Sequence, residues 1–404
     1  MDFFPGYMKT SLNNNEKNNQ NNNRTINKII MKKPIKLISL FTIILILISI
    51  IGAGELHAQV KKGMYDKMKG GGIPDTQLSQ KDNNYLDRQA AVFLDSVQSI
   101  ISKFPPQIKE ARERGMAKLL MDAVFHEHFA AFRKPAQQFF HFQANNVITE
   151  LENTKVTKGA KIWKIYNMGF IVKTKTVTMA FDLVTGETSG SDDFKLNQKE
   201  IERLVAQCDV LFISHWHPDH ADPRIAQEFL DLGRAVIAPD QVWKGKPIHS
   251  EILHMERIAH KTQKLQLQDH VLEVVVNPGH QMKSHINNVV LVTTPEGITI
   301  AHTGDQINEG DFMIDFEWID EVYKHNKVDI MMPNAWTMDI FRQVKGFKPK
   351  LVMPGHELEL GHTVWDRLPY WGDDKYLELN YAELKASKYP VIALIWGESY
   401  HYIP

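Results

Sequence analysis

Residues 213–223 read ISHWHPDHADP, and this stretch brings three histidines and two aspartates together directly after the apolar run VLF. The end of a buried strand places such side chains at the rim of a sheet, where functional sites are usually built. Left buried without partners they would be destabilising, whereas imidazole and carboxylate groups that converge on one point bind zinc or another first-row divalent metal. The stretch predicts a metal site built from His215, His217, Asp219 and His220, with a solvated polar loop as the alternative.

Three later segments repeat the pattern of an apolar strand followed by a ligand-type residue. VVVNPGH ends on His280, ITIAHTGD on Asp305 and KLVMPGH on His356. A glycine stands next to each of these residues and lets the backbone turn tightly. Each segment alone is a weak signal, but together and in this order they predict that further ligands reach the same site.

The string HWHPDH matches the HxHxDH motif of the metallo-β-lactamase fold superfamily, and residues 159–404 as a whole resemble this superfamily. The resemblance implies an α/β fold, a four-layer αββα sandwich with a two-metal site at one sheet edge. The ligands that it implies are His215, His217 and His280 for one metal ion, Asp219, His220 and His356 for the other, and Asp305 as the bridge. His285, in KSHINN, is the alternate for the role of His280.

Two zinc ions are the cofactors that the resemblance implies, with manganese or iron as alternatives. Such ions lower the pKa of a bound water to about 7 and polarise a substrate carbonyl or phosphoryl oxygen. Asp219 is expected to act in catalysis by orienting the hydroxide. Asp182, at the end of VTMAFD, and Asp222, just after the motif, are expected to orient ligand histidines. A helix N-cap is the alternative for Asp222.

The reaction that the resemblance implies is hydrolysis of an ester, lactone, amide or phosphoester in a small-molecule substrate. A bridging aspartate at position 305 resembles the lactonases, thioesterases and phosphodiesterases of the superfamily. KIYNMGFIVKT and the strand after it are loosely similar to the branch of ascorbate-phosphate lactonases and N-acyl-phosphatidylethanolamine phospholipases. A mono- or di-iron oxidoreductase and a non-catalytic metal-binding module remain as alternatives.

The elements that must position these residues alternate between helix and strand from residue 159 onward, which is typical of an α/β domain with helices outside its sheets. Before them, apolar residues recur every three or four positions from Tyr85 to Thr154 and predict a helical extension. Asn197 is expected to cap the helix NQKEIERLVAQ. A final strand is expected within PVIALIWGES, residues 390–399.

The N-terminal part has a different composition. We expect a disordered asparagine-rich leader at 1–30, a signal peptide or membrane anchor at 31–58, a linker at 59–84, the helical extension at 85–154 and the sandwich at 159–404. Lys32, Lys33 and the apolar stretch of residues 37–53 have the layout of a signal peptide. The chain is therefore expected to be exported to the periplasm or secreted, with membrane anchoring through 37–53 if this segment is not cleaved.

The rest of the composition excludes some classes of function. The net charge is −1 and no basic block stands out, so nucleic acid is not an expected partner. Cys208 is the single cysteine, which rules out disulfides within the chain, and it is expected to be a buried structural thiol. The other histidines that we considered are expected to be structural or solvated: His126, His128, His141, His249, His254, His260, His325 and His401. Oligomeric state is left open.

Overall fold

The computed structural model describes residues 80–125, 130–186, 192–282, 285–306, 316–335, 337, 340–356 and 387–404. Leu78–Pro404 form one compact unit. The predicted leader, the signal or anchor segment and most of the predicted linker lie outside the described residues. Within the described ranges, no helix has the length and apolar character needed to cross a membrane.

Two six-stranded sheets form the centre of this unit. The first has the order β12-β1-β2-β3-β4-β5, with β1 Ala160–Lys164, β2 Phe170–Lys173, β3 Thr178–Phe181, β4 Val210–Phe212, β5 Ala235–Ile237 and β12 Ser399–Tyr402. The second has the order β11-β10-β9-β8-β7-β6, with β6 Thr262–Gln266, β7 Val271–Met282, β8 His285–Thr293, β9 Thr299–His302, β10 Ile330–Met332 and β11 Leu351–Val352.

The alternation of apolar residues along the strands shows that the two sheets face each other. Alternate residues such as Phe170 and Val172 of β2 lie in one buried cluster with Val274 and Val276 of β7. The residues between them point to the opposite face of each sheet. Ile171 and Val275 accordingly belong to a second cluster, which also contains the apolar faces of the helices. The layers are helix, sheet, sheet and helix, so the predicted αββα sandwich is confirmed.

Seven α-helices are described: α1 Gln80–Lys103, α2 Arg112–Phe125, α3 Lys134–Asn153, α4 Gln198–Val205, α5 Pro223–Asp231, α6 Val322–His325 and α7 Ile340–Phe347. Asn197 begins α4 with a reciprocal capping box, because its side chain accepts from the Glu200 N–H and the Glu200 side chain accepts from the Asn197 N–H. This confirms the predicted cap. Cys208 is fully buried, and burial raises the pKa of its thiol to about 12, as expected of a structural cysteine.

The N-terminal helices pack on the sandwich through aromatic and ionic contacts. Phe125 of α2 stacks on Trp396 with ring centroids 4.5 Å apart, and Phe140 of α3 stacks on Phe194 at 4.8 Å. The buried guanidinium of Arg114 donates to both carboxylate oxygens of Glu398, each at 2.6 Å. The predicted helical extension, at least as far as it is described, therefore shares its core with the sheets.

Two strands differ from the sequence expectation. Residues 390–399 do not form the predicted strand; Val391 makes a single bridge to Val352, and β12 begins only at Ser399. Gly397, at φ +83°, donates to the Lys164 carbonyl and turns the chain there. β6 was not predicted because it is an edge strand whose side chains are mostly polar and exposed.

Candidate metal centre

The ligand-type residues follow the carboxyl ends of neighbouring strands. β3 and β4 are parallel, and they deliver Asp182 and the segment from Ser214 to Asp222. β9, β10 and β11 are also parallel, and Asp305 and His356 follow β9 and β11. The backbone N–H of Asn288 in β8 donates to the Ser214 carbonyl at 2.7 Å, which joins the two sheets at this edge. The topology thus brings distant segments together at one edge.

The structure gathers these side chains into two groups. Asp219, His220, Asp305 and His356 form one group, and His215, His217 and Asp305 form the other; within each, the ligand-type atoms lie within 4.8 Å of one another. Both groups include Asp305. Six of the seven residues named from the sequence as ligands are therefore brought together, in the division that the resemblance implies.

Asp305 lies between the two groups. Its Oδ2 is 3.6 Å from Nε2 of His215 and 3.3 Å from Nε2 of His220, and its Oδ1 is 3.3 Å from Nε2 of His356. Gln281 donates to Oδ2 at 3.0 Å and Asn334 to Oδ1 at 3.2 Å. Oδ2 therefore faces a histidine of each group, and Oδ1 faces a second histidine of the Asp219 group. A carboxylate in this position can bridge two cations.

The side chains beneath the ligands fix which histidine nitrogen faces the centre. Ser214 donates its hydroxyl to Asp182 at 2.6 Å, so its oxygen can accept from Nδ1 of His215, 3.0 Å away. Asp182 also lies 2.7 Å from Nδ1 of His220. Both histidines then carry a proton on Nδ1 and direct Nε2 toward the centre. Nε2 of His220 faces Asp219 Oδ2 at 2.9 Å, and Nε2 of His215 is buried without a hydrogen bond among the described residues.

The electrostatics of the centre favour a bound cation. Burial opposes ionisation of Asp219 and Asp305, but the neighbouring His220 and His356 hold the pKa of both carboxyls well below the usual value. Burial also disfavours a charged His220, yet Asp219, Asp305 and Asp182 together raise the pKa of its imidazole well above the usual value. Burial lowers the pKa of His215 to about 3. Anionic carboxylates beside the neutral imidazole of His215 suit divalent ions, so the residues fit the implied metals.

Three non-glycine residues at this edge adopt left-handed backbone conformations. They are Asn167 at φ +49°, Asp182 at φ +42° and His356 at φ +71°. Such conformations cost about 1 kcal/mol or more each and concentrate at functional sites. Gly304 also has a positive φ, +50°, and it cannot carry a side chain because a Cβ there would lie 2.3 Å from Cβ of Ser214. The glycine beside Asp305 therefore lets its turn approach the motif.

Several positioning residues were not identified from the sequence. Asn167 donates to Oδ2 of Asp219 at 2.7 Å, and Asn287 accepts from the Asp305 N–H at 3.0 Å. His302 is buried 3.8 Å from Asp182 Oδ2 and 3.1 Å from the Met168 carbonyl. The only sequence signal for these residues is that polar side chains follow or interrupt apolar strands, and many structural residues do the same.

His280 and His285 are the two candidates for a third histidine beside His215 and His217, and the structure does not place them as the sequence predicts. The ring of His285 lies 5.3 Å from that of His217, measured between centroids. His280 lies instead beside Phe316 at 6.1 Å, and its backbone N–H donates to Gln306. Neither histidine belongs to the two groups found among the described residues. A register shift between His280 and Met282 separates these two histidines, and a shift of one residue turns a side chain to the other face.

Asp222 contacts a helix end. It is the N-cap of α5, with Oδ1 accepting from the Arg224 N–H at 2.9 Å, while Oδ2 accepts from the Thr185 N–H at 2.9 Å. Among the described residues, no histidine donates a hydrogen bond to Asp222. Its contacts therefore match the alternative given above, a helix N-cap. Of Asp182 and Asp222, it is Asp182 that contacts a candidate ligand histidine, His220. His126 and His128 lie outside the described residues.

Comparison with known proteins found similar structures but no similar sequences. No family model matches the chain, and no curated protein matches it. Igni18, a metallo hydrolase from Ignicoccus hospitalis, is 17% identical with a TM-score of 0.41, over 60% of this chain and 98% of that one. An isothiocyanate hydrolase from Delia radicum gut bacteria is 14% identical with a TM-score of 0.41, over 60% and 99%.

A third similar structure is CmlA, a diiron β-hydroxylase from Streptomyces venezuelae, 13% identical with a TM-score of 0.42, over 61% of this chain and 55% of that one. At these identities and TM-scores, the likeness decides neither metal nor substrate. The chain's own features are more specific. The chain places an HxHxDH motif at the edge of an αββα sandwich, with Asp305 shared by two groups of ligand-type side chains, which is the arrangement that the resemblance to the metallo-β-lactamase fold implies.

Proposed function

We propose that this chain is a metal-dependent hydrolase with a two-metal centre. One observation carries the proposal: two groups of ligand-type side chains share the buried carboxylate of Asp305, with oxygens directed to both groups. When bound, divalent ions supply Lewis acidity and an ionised water near neutral pH. The reaction class is hydrolysis of an ester, lactone, amide or phosphoester: the oxygen of a water forms a new bond to carbon or phosphorus, the bond to the leaving group breaks, and the leaving group takes up a proton.

The protein's own residues position the reacting groups. Asp219 is held as an anion, and Asn167 fixes one of its oxygens through a 2.7 Å hydrogen bond. We propose that Asp219 orients the attacking water through this anchored carboxylate. Asp182 and Ser214 hold the rings of His215 and His220. These contacts hold the charged groups in place before the substrate binds, which is expected to lower the free energy of the transition state.

The test is metal-dependent turnover. The purified full chain would be stripped of metal, reloaded with Zn²⁺, Mn²⁺ or Fe²⁺, and assayed on a lactone, a thioester, a phosphodiester and a β-lactam. Asp219→Asn is the test variant and Asp231→Asn, an aspartate at the end of α5, is the matched control. Turnover lost on stripping, restored by reloading and reduced only in Asp219→Asn supports the proposal. Oxygen consumption with iron, without hydrolysis, would favour the oxidoreductase alternative.

We also propose that the chain is exported, on the basis of residues 31–58. The test is fractionation of cells that express the full chain, with Lys32 and Lys33 replaced by Glu as the comparison. Recovery outside the cytoplasm that depends on these lysines supports export, and the size of the product shows whether the segment is cleaved. Recovery in the cytoplasm in both cases contradicts the proposal.

A further inference from the structure

A second cluster of ligand-type side chains lies in the segment that follows β5. Asp240, His249 and His254 each offer a ligand atom within 4.8 Å of the others. The two imidazole rings have centroids 4.7 Å apart. Nε2 of His249 lies 3.0 Å from the Asp240 carbonyl oxygen and 3.4 Å from Asp240 Oδ1, so in the neutral ring Nε2 carries the proton and Nδ1 the lone pair. None of these residues belongs to the two groups around Asp305. Sequence spacing did not reveal this cluster, because the intervening chain folds back to bring its members together.

The orientation of His254 suits a metal ligand. Its Nδ1 lies 2.9 Å from the Ala238 carbonyl. A carbonyl can only accept, so Nδ1 must carry the proton, and the lone pair of the neutral ring lies on Nε2. Backbone carbonyls commonly fix metal-binding imidazoles in this way. The three donor groups, two imidazoles and one carboxylate, are those that zinc, nickel and copper ions favour.

One cation already competes for this cluster. Lys244, four residues after Asp240, forms an ion pair with it. Both side chains are more than half exposed, Lys244 at 67% and Asp240 at 55%. An exposed pair of this kind contributes little to stability. A divalent ion can therefore displace the lysine at little cost, and removal of Lys244 is expected to strengthen metal binding.

A hydrogen bond connects the segment that carries this cluster to strand β8, which lies beside the centre described above. Gln241, next to Asp240, accepts through Oε1 from the Ile286 N–H at 2.9 Å. Ile286 follows His285, whose ring lies 5.3 Å from that of His217. An ion held by Asp240 would thus rest on a segment that contacts the strand next to the centre.

We propose that Asp240, His249 and His254 form a separate outer site for a divalent first-row metal ion, with Zn²⁺ as the test ion. This site is independent of the proposed hydrolase activity. It binds one zinc ion per chain, more weakly than the centre around Asp305 does, and this ion is called the weaker equivalent below. Its ligands are two imidazole nitrogens and one carboxylate oxygen.

The experiment is equilibrium dialysis of the full chain against increasing free Zn²⁺, with bound zinc measured per chain. The test variant is His249→Gln with His254→Gln. The matched control is His260→Asn with His325→Gln, which removes another close histidine pair, stacked at 4.1 Å; Asn tolerates the φ of +60° at position 260. His220→Ala removes a residue of the central site instead. We expect one weaker equivalent to disappear only in the test variant and to persist in the other two.

Lys244→Gln gives a second measurement of the same site. Because this variant removes the competing cation, it should bind the weaker equivalent about two- to fivefold more tightly than the unmodified chain. The proposal is overturned if the test variant keeps every zinc equivalent of the unmodified chain, or if the weaker equivalent disappears with His220→Ala.

Discussion

The carboxylate of Asp182 lies 2.7 Å from Nδ1 of His220. On the other side of the ring, Nε2 is 2.9 Å from Asp219 and 3.3 Å from Asp305. Asp182 is fully buried and adopts a left-handed φ of +42°. The imidazole is therefore held on its Nδ1 side by a strained and buried residue that follows a neighbouring strand, and its Nε2 faces the carboxylates of the proposed centre.

This relationship predicts a specific loss of metal in Asp182→Asn. The amide cannot match a carboxylate that accepts from the Ser214 N–H, the Ser214 hydroxyl and His220. We expect metal affinity to fall by about 10- to 100-fold, measured by competition with a chromophoric chelator. Asp222→Ala is the control: it should destabilise the fold by about 1 kcal/mol through loss of the α5 cap while metal affinity stays unchanged. Equal affinities in Asp182→Asn and the unmodified chain would contradict the role.

The two candidate histidines of the β7–β8 hairpin give the second prediction. Because the ring of His285 lies 5.3 Å from that of His217, His285→Ala should lower metal content more than His280→Ala does. Metal content of both variants, purified side by side, checks this. The opposite order would contradict this prediction and would favour His280, the ligand that the resemblance implies.

How much of this site was predictable differs between its parts. His215 to His220 could be identified because they are adjacent in sequence, and Asp305 and His356 because a strand and a glycine mark each of them. The hairpin histidines could not be separated, since a one-residue register shift decides which side chain faces the centre. Asn167, Ser214 and His302 are positioned by tertiary contacts that no spacing encodes.

The fold was predictable to a similar degree. Strand and helix alternation indicated the layers, but residues 390–399 gave a false strand because their apolar residues are buried without forming a ladder. Apolar burial and strand pairing are different properties, and apolarity reports only the first. The contact between α2 and the chain's last segment, through Arg114 and Glu398, also depends on pairing over a distance that periodicity does not reveal.

That contact gives a third prediction. Glu398→Gln removes the carboxylate that accepts two hydrogen bonds from the buried guanidinium of Arg114 and leaves Glu110, 3.5 Å from Arg114 Nε, as a remaining anionic neighbour. This loss should lower the free energy of unfolding by about 3 kcal/mol. Urea denaturation of the full chain measures the effect. Glu317→Gln, at an exposed glutamate, is the control and should change stability little. No change in Glu398→Gln would mean that the helical segment is not held through this pair.

The stacked His260 and His325 predict a dependence of stability on pH. Burial, and then the neighbouring His325, lower the pKa of His260 in the folded state. Below the unfolded-state pKa of about 6.5, the unfolded chain binds more protons at this position, so its contribution to stability is lost as pH falls. His260→Asn, which tolerates the φ of +60°, should lose less stability between about pH 8 and about pH 5 than the unmodified chain. Identical losses would contradict this assignment.

The central claim is the two-metal centre, and metal analysis of the purified full chain tests it most directly. Samples dialysed against a weak chelator, which removes the weaker outer ion, would be compared for the unmodified chain and for His217→Ala. With a two-metal centre, we expect about two tightly held divalent ions per chain and a clear reduction in His217→Ala. The absence of tightly held metal, or an undiminished content in His217→Ala, would contradict it.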